Sequence, residues 1–76
     1  MSVTLSHVAP LTTTQIDEAS TTVTYVGEAK IASSTSSAVW QIIKIEKSGN
    51  VTSIKYADGD KRYNNVWDNR ASLSYS

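Results

Sequence analysis

Hydrophobic and polar positions alternate most clearly in the second half of the chain. Val39-Trp40-Gln41-Ile42-Ile43-Lys44-Ile45 leads into Lys47-Ser48-Gly49-Asn50, and Val51-Thr52-Ser53-Ile54-Lys55-Tyr56 leads into Asp58-Gly59-Asp60. A third run holds Tyr63, Val66 and Trp67, and a fourth holds Leu73 and Tyr75. Short β-branched and aromatic runs separated by Gly-containing turns are the pattern of antiparallel hairpins. Upstream, Thr21-Thr22-Val23-Thr24-Tyr25-Val26 is β-branched and aromatic throughout, which predicts a strand that stops at Gly27. Glu28 to Ala32 can continue it after a bulge at the glycine. Ser33-Ser34-Thr35-Ser36-Ser37 reads as an exposed polar loop, tolerant of change.

Side-chain direction follows from the two-residue period of a strand. Trp40 and Ile42 share one face, while Val39, Ile43 and Ile45 share the other. Apolar groups on both faces predict a central strand covered on both sides, or one that curls into a barrel. Ile54 and Tyr56 face one way, Ser53 and Lys55 the other, and Tyr63, Asn65 and Trp67 share a face if their run is extended. Short loops favour sequential pairing. The expected fold is all-β: a small antiparallel meander of four to five strands, sandwich-like or closed as a small barrel, with an extended N-terminal arm. Only Gln15 to Ser20 offers a helical turn.

The arm is assigned to residues 1–22 and the β-module to residues 23–76. Residues 1–22 are rich in Ser and Thr, hold the single proline, Pro10, and show no helical period. Proline excludes a central strand position. Three readings of this segment stand side by side: a frayed terminus, an arm lying across a neighbouring subunit through Leu5, Val8 and Leu11, and a strand packed on its own domain.

Length sharpens the question of stability. A chain of 76 residues makes one domain, and a domain of this size buries only about 60% of the surface its unfolded chain exposes. It has no cysteine and one histidine, His7, so neither disulfides nor zinc are available to staple it. The two tryptophans and four tyrosines must anchor the core, or neighbours must help. Seven basic residues balance seven acidic ones, so no net charge steers the protein to nucleic acid or to an anionic membrane. The longest apolar run is too short to span a bilayer. Met1 to His7 lacks the basic and apolar regions of a secretory signal, which leads us to expect a protein kept in a cytoplasm or carried within a particle.

Candidate chemistry is sparse. A Ser-His-Asp arrangement would have to recruit His7 from the arm. Asp58-Gly59-Asp60 resembles the start of a calcium loop but lacks the later acidic ligands, and an Asp-Gly turn accounts for it. Lys55, Lys61 and Arg62 beside Tyr56 and Tyr63 suggest a nucleic-acid patch, which Asp58, Asp60 and Asp68 neutralise. No catalytic, cofactor-binding or metal site is therefore expected, and no cofactor. The densest cluster of specific side chains is Val66 to Ala71. Asp68 and Arg70 can pair beside the Trp67 indole and brace a turn, or Trp67, Arg70 and Asp68 can serve as an interface hot spot.

Several segments together resemble a group of very short proteins encoded by tailed bacteriophages. They are Tyr25-Val26-Gly27-Glu28-Ala29, Ala38-Val39-Trp40, Tyr56-Ala57-Asp58-Gly59, and Val66-Trp67-Asp68-Asn69-Arg70-Ala71-Ser72-Leu73-Ser74-Tyr75. The resemblance covers roughly Thr21 to Ser76 and contains no catalytic motif. It implies a small β-rich virion component of the tail, neck or head decoration, made in the host cytoplasm and partnered by copies of itself or by other virion proteins. It carries over no site residues. The competing reading is an intracellular phage-encoded module that binds a host protein or nucleic acid. A weaker third is a carbohydrate-binding module, which would need an exposed Trp40 or Trp67.

Overall fold

The computed structural model describes residues 11–76. Strands β1 (Thr12–Asp17), β2 (Val23–Lys30), β3 (Ala38–Ser48) and β4 (Val51–Tyr56) form an antiparallel meander in the order β1-β2-β3-β4. A short strand β5 (Asn65–Val66) pairs with the start of β3, and a 3₁₀ helix (Trp67–Ser72) follows it. The all-β meander expected from the sequence is thus the fold. Among the described residues β1 and β4 do not pair with each other, so these strands form an open sheet.

The β3–β4 turn follows from its residues. Ser48 pairs with Val51, leaving the two-residue loop Gly49-Asn50. Gly49 has φ +60° and Asn50 is not left-handed, as a type II′ turn requires. After β4, Asp58 and Gly59 both take positive φ, 59° and 71°. This is the backbone of an Asp-Gly turn, and Asp60 Oδ1 accepts the Arg62 amide at 2.9 Å just beyond it.

Four expectations need correction. The span read as an arm contains a strand: Thr12–Asp17 pairs with β2 from Thr12↔Lys30 to Asp17↔Tyr25. Its Thr-rich, alternating sequence suits a polar sheet edge, and no helical turn starts at Gln15. The expectations placed on Leu5, Val8 and His7 lie outside the described residues. Next, β2 runs through Gly27 without a bulge, because Gly27 pairs in register with Gln15 on one side and Ile42 on the other. Third, the run from Tyr63 is extended only over Asn65–Val66 before it winds into the 3₁₀ helix. Last, β3 is central but, among the described residues, is covered on one side only.

The reason is the C-terminal segment, which lies across one face. Paired residues of an antiparallel sheet share a face, so Tyr25, Gly27 and Ala29 of β2 lie beside Trp40 and Ile42 of β3, with Ala57 next to Ile42. Trp67 packs onto this surface, and these residues make the buried core with Val23, Leu73 and Tyr75 around them. The Trp40 and Trp67 rings are 5.9 Å apart and tilted by 39°, and Tyr25 meets Tyr75 at 5.8 Å. Gly27 is required by this packing. A Cβ there would lie 2.6 Å from Trp67 Cζ3 and closer still to Cε3.

Backbone bonds clamp the cap. Tyr56 and Ser76 exchange N–H···O bonds of 3.0 and 3.1 Å, and Asp68 N donates to Thr35 O at 3.1 Å. Trp40 Nε1 donates to Ser34 O at 2.9 Å. The Ser/Thr loop is therefore not a passive linker, since its carbonyls hold both the core indole and the start of the 3₁₀ helix. The amide of Asn65, the one buried polar side chain among the described residues, donates to Trp40 O at 3.1 Å.

Candidate functional site: the open sheet face

Among the described residues the opposite face of the sheet has no comparable cover. Following the register, Ile16, Val26, Ile43 and Tyr56 form one row across all four meander strands. Thr24, Ile45 and Ile54 form the next row. Ile16 is 65% exposed and Ile54 59%, while Val26, Ile43, Ile45 and Tyr56 are half-buried. Within the strands no charged residue belongs to either row, and the Lys61 ammonium lies beside Tyr56 at the edge.

The margins of this patch are polar. On one side, Glu28 lies level with Gln41 and Thr14. Glu28 accepts hydrogen bonds from Thr12 Oγ1 at 3.3 Å and from the Tyr63 hydroxyl at 2.8 Å. The bond to this carboxylate raises the Tyr63 pKa above its usual value, with smaller contributions from desolvation and from the Glu28 charge. The Lys61 ammonium sits 5.7 Å from the Tyr56 ring centre, and Gln41 Nε2 donates to Lys61 O at 2.9 Å. The segment after the Asp-Gly turn thus rims the patch without crossing its centre. On the other side stand Lys47 and Thr52, paired across β3 and β4.

Charge is concentrated instead on the capped face, where the cap ends. Glu46 lies between Lys55 at 3.2 Å and Lys44 at 3.4 Å. Hydrogen bonds from Lys55 and then Lys44 hold its carboxyl below the usual range. The Lys44 ammonium also lies 5.7 Å from the Tyr75 ring centre.

The residues singled out from sequence are placed differently from one another. Trp67 is 5% exposed and belongs to the core. Arg70 stacks on its ring at 4.6 Å, so these two are together. Arg70 does not pair with Asp68 as expected. Its Nε bonds Asp17 Oδ2 at 2.9 Å, tying the cap to edge strand β1, because the 3₁₀ turn directs the guanidinium toward the sheet while Asp68 is exposed. Leu11 is 78% exposed at the start of β1. With Trp40 and Trp67 both buried, the exposed tryptophan needed for sugar stacking is missing from the described structure. The residues that sequence reasoning missed are Ile16, Val26, Ile43, Ile45 and Ile54. The signal for Ile43 and Ile45 lies in the two-faced pattern of β3, which predicts cover on both sides or a barrel, whereas Ile16, Val26 and Ile54 lie on other strands.

Comparison with protein-family models, with curated proteins and with solved structures finds no match to this chain.

Proposed function

We propose that this protein is a non-enzymatic structural component of a bacteriophage particle, in the tail, neck or head decoration, that works by docking on copies of itself or on a larger virion protein. The observation that carries the assembly reading is the uncharged row Ile16, Val26, Ile43 and Tyr56, with Ile45 and Ile54 beside it, on the open face of the sheet. A water-facing side of an antiparallel sheet is ordinarily polar. A contiguous apolar patch with a polar rim is the usual form of a contact surface. The particle reading is supported by the resemblance that runs from Thr21 to Ser76.

Mass spectrometry of purified particles tests it. The chain is expected there, and Ile45→Lys is expected to lower its incorporation while leaving a β-type circular dichroism spectrum. A chain abundant in infected cells but missing from particles would overturn the virion assignment in favour of an intracellular binding module.

A further inference from the structure

Strands β4 and β5 lie on the same side of β3 and run in the same direction. In an antiparallel ladder alternate residues of a strand bond to the neighbours on alternate sides. Ala57 N donates to Ile42 O at 2.9 Å, so the even positions of β3 face β4. The next even positions, Trp40 and Ala38, pair with Asn65 and Val66. The two strands are therefore halves of one. Between them the chain takes eight steps, from Ala57 to Asn65, while β3 takes two, from Ile42 to Trp40. A single residue opposite Gln41 would close the gap, and the chain uses seven.

We infer that the six surplus residues, Gly59 to Asn64, are an insertion that serves to recognise another protein and not to build the fold. The inference rests on the particle reading above and names the element that meets a larger virion protein. None of residues 58–64 belongs to the buried core, and all but Asp60 are exposed. The loop is nevertheless held in one shape by its own chain. Gly59 N donates to Tyr56 O at 3.0 Å, and Asp60 Oδ1 accepts the Arg62 amide. Lys61 O accepts Gln41 Nε2, and the Tyr63 hydroxyl donates to Glu28. An exposed loop fixed on a rigid scaffold is the usual carrier of a binding function, because its shape is set before the partner arrives.

The exposed side chains set the class of partner. Tyr63 is 48% exposed, and Arg62 beside it belongs to no ion pair among the described residues. Arginine and tyrosine are the residues that dominate protein contact sites. Within the loop Asp58 and Asp60 balance Lys61 and Arg62, and Glu28 beside it is taken up by the hydroxyls of Tyr63 and Thr12. That balance suits a protein surface of mixed charge better than a run of phosphates. The described residues hold no cavity to receive such a loop, which favours a different chain over a second copy.

Deleting residues 59–64, which leaves Asp58 opposite Gln41, tests the first half of the inference. A β-type dichroism spectrum is expected, with a melting temperature within about 8 °C of the full-length chain. Loss of the fold would overturn the insertion. Mass spectrometry of particles grown with both forms present tests the second half, and the deletion form should be depleted at least about tenfold. Arg62→Ala, which keeps the backbone bonds of the loop, should be depleted about tenfold in the same assay. Full-length chain in particles with both variants taken up equally would overturn the loop contact and leave the virion reading intact. A full-length chain missing from particles would overturn that reading and this partner together. Binding of oligothymidylate that Arg62→Ala abolishes would overturn a protein partner in favour of nucleic acid.

Discussion

The two faces of this sheet are built from the same four strands and have opposite fates. One carries Tyr25, Ala29, Trp40 and Ile42 and is sealed by Trp67 and the segment after it. The other carries Ile16, Val26, Ile43, Ile45 and Ile54 and is left open by the described residues. Charge follows an inverse logic. The Lys44–Glu46–Lys55 cluster takes over on the sealed face where the cap stops, while the open face is uncharged across its centre. Burial of aromatic rings accounts for stability on the first face. The isoleucines of the second contribute little to an isolated chain and about 1.5–3 kcal/mol each when fully covered.

The contrast can be broken most severely at Trp67. Replacing it with alanine empties the centre of the cap and should cost about 3–5 kcal/mol, enough to unfold much of so small a domain. Chemical denaturation followed by far-ultraviolet dichroism will measure this. Gly27→Ala acts from the sheet side of the same contact and should cost about 1–3 kcal/mol by overpacking. In a double-mutant cycle that cost should shrink in the Trp67→Leu background, where the indole that meets the new methyl is gone.

A milder probe of the sealed face is alkaline pH. Burial, followed by the neighbouring Tyr25, pushes the Tyr75 hydroxyl up to about 12, against an ordinary value of 10.0. The folded state therefore holds this proton more tightly than the unfolded state does. Its contribution is complete below about pH 10 and is lost as pH rises through about 12. Melting temperature should fall across that window, and Tyr75→Phe should flatten the fall. Should the slope persist in Tyr75→Phe, the Tyr63 hydroxyl, raised by Glu28, is the remaining source on the other face. The smallest effect belongs to the open face itself. In dilute monomer, Ile54→Thr should change unfolding free energy by no more than about 0.5 kcal/mol, against several for Trp67.

Much of the sealed architecture was legible in the residues because its signals are local. Gly49-Asn50 and Asp58-Gly59 mark turns by the φ they tolerate, and the β-branched runs beside them mark strands. The features that escaped are those decided at long range. Gly27 looked like a strand stop, although its need for a bare Cα comes from Trp67. Arg70 had an acid two residues away and chose Asp17, 53 positions distant. The 3₁₀ helix was hidden because Tyr63, Asn65 and Trp67 alternate as a strand would. The candidate site was half visible: Ile43 and Ile45 advertised a second apolar face, but periodicity says only that a face is apolar, not whether the same chain covers it.

The placement of Trp67 also orders events in time. The hairpins of the meander close short loops, whereas the ring that dries their shared face arrives from the far end of the chain. In folding, the strands can pair while both faces are still wet, and the sealed core exists only once the residues after Val66 have folded back. Local pairing should therefore precede cap docking. Trp67→Leu should accelerate unfolding and leave the refolding rate nearly unchanged, whereas Ile42→Val should slow refolding. Until the cap closes, a nascent molecule displays two greasy surfaces instead of one, and crowding among growing chains is its moment of greatest exposure to misassembly.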